Sequence, residues 1–227
     1  MKYALCLRGI NYNSNYLHDG KTGITSYTID FSDCLPYLFK NIITPLEKNG
    51  HTVDIFFVTY DTQKLKQFIN ILNPKKVLIN NFDPSLTSYA WKNIYNLFID
   101  SLKTIDTYSK ENNISYDFTI LCRFDSLCIE NITNVFLEPD GVSFPAPRDD
   151  CFWVIGRDLN QKILKLMEHM KNNTNLITHE CSKFFSDNGI KCHAMYGSDI
   201  VGEHYPFSRI SRQHFVPPGH IYFTANI

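Results

Sequence analysis

Apolar positions along the chain follow two rhythms, and their alternation predicts the fold. Tyr3 to Leu7, Val53 to Tyr60, Lys76 to Ile79 and Phe118 to Cys122 are short apolar runs of strand length. Continuous runs of this kind suit strands of a parallel sheet covered on both faces. Between them apolar residues recur at helical spacing: Leu35, Leu38, Phe39, Ile42, Ile43 and Leu46 after Ser32, then Leu65, Phe68, Ile69 and Leu72 after Asp61. Ser32 and Asp61 stand where they can cap these helices, Pro36 is tolerable near a first turn, and Gly50 ends the first helix. The longest stripe, with Leu86, Tyr89, Ala90, Ile94, Leu97, Phe98, Leu102 and Ile105, predicts a helix from about Ser85 to Tyr108. Strand, helix and strand in succession imply right-handed crossovers and parallel pairing. The polar, Asn-rich stretch from Arg8-Gly9 to Gly23 reads as a long loop at a ligand-facing edge.

Past Cys122 the pattern loosens. Cys128 to Asn134 has some strand character, and Gly141 to Pro145 is a short strand broken by Pro145 and Pro147. An aromatic strand follows from Cys151, and Asp158 is placed to cap a helix through Ile163, Leu164, Met167 and Met170. Thr178 to Phe185 reads as a short helix before Gly189, Lys191 to Tyr196 as a final strand, and the last residues as a tail packing over the domain. The expected class is α/β, Rossmann-like, with a mostly parallel central sheet flanked by helices.

A length of 227 residues suits one sizeable α/β domain, and a net charge of -1 with interspersed signs supplies no basic field for nucleic acid or an anionic membrane. Seven cysteines, odd in number and without a Cys-x-x-Cys pair, fit neither a disulfide framework nor a zinc site. The apolar run at the N-terminus is too short for a signal-peptide core, and no later run approaches a membrane span. The expected compartment is reducing and cytoplasmic. Aromatic residues at 14% suit a large aromatic core or a pocket that stacks on bases or sugars.

The charged step that ends the strand Phe118 to Cys122 is the leading chemical candidate. Open α/β sheets bind ligands outside the carboxyl ends of their strands, and Arg123 and Asp125 are delivered there. Gly9, Gly20 and Gly23 make neither Gly-x-Gly-x-x-Gly nor a phosphate loop ending in Lys-Ser/Thr, so dinucleotide and Walker-type readings fail. Displacement of a diphosphate leaving group suits the parts present. It needs charge neutralisation, by a divalent ion on a carboxylate or by cationic side chains, and a carboxylate base near an acceptor hydroxyl. Arg123 and Asp125 suit the first role, with Asp125 as an oxygen ligand for Mg²⁺ or Mn²⁺; Asp149 or Asp150 suits the second. Asp125, ending a strand, is expected to lie outside the core, so that Asp125→Ala leaves the fold intact.

Four blocks then resemble the GT-A type of nucleotide-sugar glycosyltransferase, a family found in large DNA viruses and in bacterial polysaccharide assembly. They are Ala4 to Gly9, Val53 to Tyr60, Leu121 to Asp125, and Asp149-Asp150 through Gly156 to Met167, with His179-Glu180 echoing a later helix start. The resemblance implies a single GT-A-like domain, with residues 1–125 as nucleotide-binding half and 126–227 as acceptor half and tail. It implies a nucleotide-diphosphate sugar lying across Leu7, Arg8, Gly9, Thr59 and Tyr60, with Arg123 and Asp125 at the diphosphate. A divalent cation, Mn²⁺ or Mg²⁺, would sit on Asp125, and Asp149 and Asp150 would face donor sugar or acceptor, a glycan or small hydroxyl compound. Arg123 stands where the family carries the first acid of Asp-x-Asp, and an arginine can itself neutralise a diphosphate. His193, His214 and His220 are candidates for the histidine that often completes such metal sites. If the chain is viral, its compartment is the host cytoplasm. The alternatives are a sugar nucleotidyltransferase and a non-catalytic nucleotide- or glycan-binding module derived from such a fold.

Overall fold

A computed structural model describes residues 1–20, 23–80, 90–145, 150–173, 178–195, 208–210 and 213–214. In chain order the elements are β1 (Lys2–Gly9), β2 (Tyr12–Gly20), β3 (Gly23–Asp30), α1 (Phe31–Leu38), α2 (Thr44–Lys48), β4 (Thr52–Tyr60), α3 (Leu65–Leu72) and β5 (Lys76–Asn80). Then come α4 (Ala90–Asn112), β6 (Phe118–Arg123), β7 (Ser126–Cys128), β8 (Gly141–Phe144), β9 (Phe152–Gly156), α5 (Asn160–Asn173), α6 (Cys181–Asp187), β10 (Lys191–Ala194), β11 (Ser208–Ile210) and β12 (Gln213–His214).

Seven strands form the central sheet in the order β10-β8-β9-β6-β1-β4-β5. β1 pairs in parallel with β4 and β6, β4 with β5, and β10 with β8, while β9 runs antiparallel to β6 and β8. The expected mostly parallel, helix-flanked α/β sheet is therefore present. β1 is apolar from Tyr3 to Leu7 because that stretch is buried on both faces. Tyr3, Leu5 and Leu7 pack with Cys34, Leu38, Leu46 and Phe68 of α1, α2 and α3. Ala4 and Cys6 face Phe98, Leu102, Ile163 and Met167 of α4 and α5. Trp153 of β9, fully buried, stacks on Phe98 with ring centroids 4.0 Å apart.

From β1 the chain passes to β4 and β5 on one side, and α4 then returns it to β6 on the other. The carboxyl ends of β1 and β6 thus border a topological switch point, where open α/β sheets bind ligands.

Several local expectations are corrected. The polar stretch after Gly9 is a hairpin of β2 and β3, with a register shift between Asn13 and Tyr16. Main-chain pairing closes such a ribbon without an apolar run. β12 pairs with β3 and β11 with β7, so these parts of the C-terminal segment do pack over the domain. Asp30, not Ser32, caps α1, accepting the Ser32 main-chain N–H at 3.0 Å. The expected continuous first helix is interrupted by a π-helical turn over Phe39–Ile43, where the Thr44 N–H bonds to the Phe39 carbonyl. Pro45 has no N–H to offer the Asn41 carbonyl, which favours that wider turn. Neither Asp61 nor Asp158 makes a capping bond among the described residues: α3 begins at Leu65 after Lys64, and Asp158 takes a left-handed φ of 63° in the turn before α5. Only β7 answers to the strand expected from Cys128; a 3-10 turn over Ile132–Asn134 follows it. The predicted start of α4 at Ser85 lies outside the described residues.

Candidate functional site

Two polar clusters meet at the carboxyl end of β1, one on each face of the sheet. The first is ionic. Arg8 and Arg123 are register partners on the parallel strands β1 and β6, so both side chains leave the same face. Arg123 holds Asp125 as a two-pronged fork, Nε donating to Oδ1 at 2.8 Å and Nη2 to Oδ2 at 2.7 Å. Its third nitrogen, Nη1, lies 3.6 Å from Asp150 Oδ1 and 3.7 Å from Cys151 Sγ. β9 brings these residues there: the Arg123 main-chain N–H donates to the Cys151 carbonyl at 2.9 Å. Thr178, in the 3-10 turn before α6, donates its hydroxyl to Asp150 Oδ2 at 3.1 Å.

Arg8 lies beneath this group, with its guanidinium carbon 3.6 Å from the Phe98 ring centroid and Nη2 donating to the Asp150 carbonyl. It is only 2% exposed, and Asp125 and Asp150 are each 4% exposed. Burial pushes the Arg8 pKa down, and Asp150 works against that. Burial acts in the same sense on Arg123, but Asp125, Cys151 and Asp150 outweigh it and hold its pKa above the ordinary value. Both remain cations, since a guanidinium does not deprotonate in proteins.

The second cluster is neutral. Thr59, fully buried at the end of β4, donates its hydroxyl to the Gly9 carbonyl at 2.6 Å and accepts from Asn11 Nδ2 at 2.8 Å. The same Asn11 amide reaches the Tyr60 carbonyl at 3.3 Å, and its Oδ1 accepts from the Thr62 hydroxyl. Gly9 makes the turn into this ring at a φ of 98°, a conformation that favours glycine. Beside it opens a crevice of about 350 Å³ whose lining includes Tyr12, Asn13, Tyr60, Asp61 and Gln63. Two aromatic faces and several polar edges suit a flat ring bearing hydrogen-bonding groups.

Arg123, Asp125 and Asp150 are thus brought together, with Arg8 below them and Tyr60 on the crevice wall. Leu7 is not brought there: it is fully buried against α1 and α3. Gly9 and Thr59 bond to each other and do not line the crevice, to which their ring contributes Tyr60 and Thr62. Asp149 lies outside the described residues. Asp125 is buried and doubly bonded, contrary to its expected place outside the core, so Asp125→Ala strands a guanidinium and costs stability. Thr178, Asn11 and Phe98 join the site although the sequence pattern gives Phe98 only as part of a core stripe and Thr178 only as a helix start. Asn11, two residues past the glycine that ends β1, carried a faint signal; nothing local marks Thr178 or Phe98 as neighbours of Asp150 or Arg8.

A divalent cation fits this donor set poorly. Both Asp125 oxygens already serve Arg123, and a metal bound to either would stand beside the guanidinium. Two like unit charges 4 Å apart repel by roughly 4 kcal/mol at an effective dielectric near 20, and a divalent ion doubles that. Among the described residues no group of three or more His, Cys, Asp or Glu is placed to hold a metal. His193 lies on β10, three strands from β6, with its ring 5.1 Å from that of Phe136. The side chain of His214, and all of His220, lie outside the described residues.

No family model matches the chain, and no curated protein matches it in sequence. Among solved structures it is similar to the apo-form glycosyltransferase GlyE of Streptococcus pneumoniae, at 10% identity and a TM-score of 0.43, over 85% of this chain and 45% of that one. It is also similar to the inositol-1-phosphate CTP transferase of T. maritima, at 14% identity and TM-score 0.41, over 85% of this chain and 84% of that one. A third is a cytidylyltransferase from Leptospira borgpetersenii, at 12% identity and TM-score 0.42, over 85% of this chain and 75% of that one. The chain thus spans less than half the length of the first of these. Superpositions this loose carry no activity over to it. Among the described residues no helix is long and apolar enough to cross a membrane.

Proposed function

We propose that the protein is a glycosyltransferase that moves a sugar from a nucleoside-diphosphate sugar to a hydroxyl of a glycan or small acceptor. The observation that carries this is the convergence of Arg123, Asp125 and Asp150 at the switch point, beside the end of β1, with the Tyr12–Tyr60 crevice opening past that same strand end. In this reading the nucleobase lies in the crevice between the tyrosines, and the diphosphate crosses the end of β1 to Arg123. Asp125 positions Arg123 by gripping its fork. Asp150, steadied by Thr178, stands at the acceptor. The acceptor oxygen bonds to the anomeric carbon as the anomeric C–O bond breaks. The bonding pair leaves on the diphosphate, and the hydroxyl proton passes to Asp150.

The test is calorimetric titration with UDP-, GDP- and CDP-sugars, followed by nucleoside diphosphate release across an acceptor panel. Binding of at least one donor is expected, with release abolished by Asp150→Asn. Failure of every donor to bind would sink the reading. Binding without turnover would favour a non-catalytic module, and pyrophosphate release from a nucleoside triphosphate plus a sugar phosphate would reassign the protein as a nucleotidyltransferase.

A further inference from the structure

We infer that the diphosphate is neutralised by guanidinium charge and not by a divalent cation: Arg123 meets it directly, and Arg8 supplies a second charge from beneath. This rests on the transferase reading above and deepens it.

Three features of the site support it. Asp125, the carboxylate best placed at the strand end to hold a metal, has both oxygens in the Arg123 fork at 2.7 and 2.8 Å. Metal and guanidinium compete for the same two atoms and repel each other, so the arrangement favours one or the other. Arg123 retains donors for a ligand. It has five N–H groups, of which two go to Asp125 and one points at Cys151 Sγ, and its side chain is one-fifth exposed. The second N–H of Nη2 has no partner among the described residues. A planar guanidinium with free N–H groups is well shaped for phosphate oxygens.

The third feature is charge. Arg8 and Arg123 sit side by side on paired strands, which like charges tolerate only with anions close by. Two carboxylates, Asp125 and Asp150, balance them. Two arginines against two aspartates leave the same formal charge as two aspartates around one divalent ion. A diphosphate arriving here therefore meets the net charge that a metal-loaded Asp-x-Asp site presents, without the metal. Arg8 adds to this from a fully covered position, and its Nε has no partner among the described residues.

The experiment titrates the full chain with UDP, GDP, CDP and inorganic pyrophosphate, first in EDTA and then in excess Mn²⁺. At least one nucleoside diphosphate is expected to bind in EDTA, with a Kd that Mn²⁺ changes by less than about threefold, under 1 kcal/mol. Arg123→Lys keeps the charge but loses the fork, and is expected to weaken binding by about tenfold, ~1.4 kcal/mol. R123D is expected to make binding depend on Mn²⁺. Wild-type binding that appears only with Mn²⁺ would overturn the inference and leave the transferase reading standing. No binding in either condition overturns both. Because the EDTA comparison uses the unmodified protein, it decides the matter even where a variant fails to fold.

Discussion

The two clusters at the end of β1 show two ways of burying polar groups at one place. On the face of α1 and α3, Asn11, Thr59 and Thr62 close a neutral ring with the Gly9 and Tyr60 carbonyls. On the face of α4, Arg8, Arg123, Asp125 and Asp150 form an ionic group. A neutral ring that loses a member leaves polar groups unsatisfied, at a cost of about 1–3 kcal/mol. A buried ion pair that loses one partner leaves the other as an uncompensated charge, while losing both partners together can cost little. The ring therefore ties the ends of β1 and β4 together, and the ionic group holds charge at the end of the sheet.

The sharpest break of that contrast is Arg123→Ala, which removes both fork bonds from Asp125 at 4% exposure. Urea unfolding is expected to show a loss of about 3–5 kcal/mol. Pairing Arg123→Met with Asp125→Leu is expected to recover most of it. Equal losses for the single and double variants would show that the two clusters do not differ in this way.

Asn11→Ala comes next. It leaves the Thr59 and Thr62 hydroxyls without their shared partner, and a loss of roughly 1–3 kcal/mol is expected. Adding Thr62→Val should bring little further loss, since its bond to Asn11 is already gone; a large extra loss would mean the ring is not one unit.

The smallest effect belongs to the exposed edge of the neutral side. There Lys64 pairs with Asp30 at 2.5 Å and lies 4.7 Å above the Tyr12 ring. Burial pushes the Asp30 carboxyl up, but the Lys64 pair and the Ser32 N–H outweigh it, and its pKa lies below the ordinary carboxylate value. A depressed pKa means stability that is fully present above the unfolded value near 4 and is lost as pH falls through the folded one. The pair is partly solvated, so its share at pH 7 is about 0.2–1 kcal/mol, beside ~1 kcal/mol for the cap on α1. Asp30→Ala should therefore approach the wild type in stability as pH drops below about 4. A difference that stays constant down to pH 2 would contradict the shift.

The elements that frame the site were legible because their chemistry is local. A strand buried on both faces is apolar at nearly every position, so Tyr3 to Leu7 and Phe118 to Cys122, broken only by Thr119, announced the centre of the sheet. An arginine and an aspartate two residues apart at such a strand end announced a charged edge. The β2–β3 hairpin gave no such signal, since it is closed by main-chain bonds that polar residues make as readily as apolar ones.

What the Arg123–Asp125 step does was decided by the fold. Spacing along the chain cannot say whether a carboxylate faces an ion, solvent or the guanidinium two residues before it. That depends on β9 lying antiparallel to β6, which brings Asp150 and Cys151 against the same guanidinium. Arg8 depended on the fold still more. The sequence placed it at the strand end, but its cover is Phe98, ninety residues further along and delivered by α4. The sequence by itself determined which residues reach the carboxyl ends of β1 and β6, because burial imposes a local pattern. The tertiary structure decided which of them meet, because ion pairs and stacking form between neighbours in space.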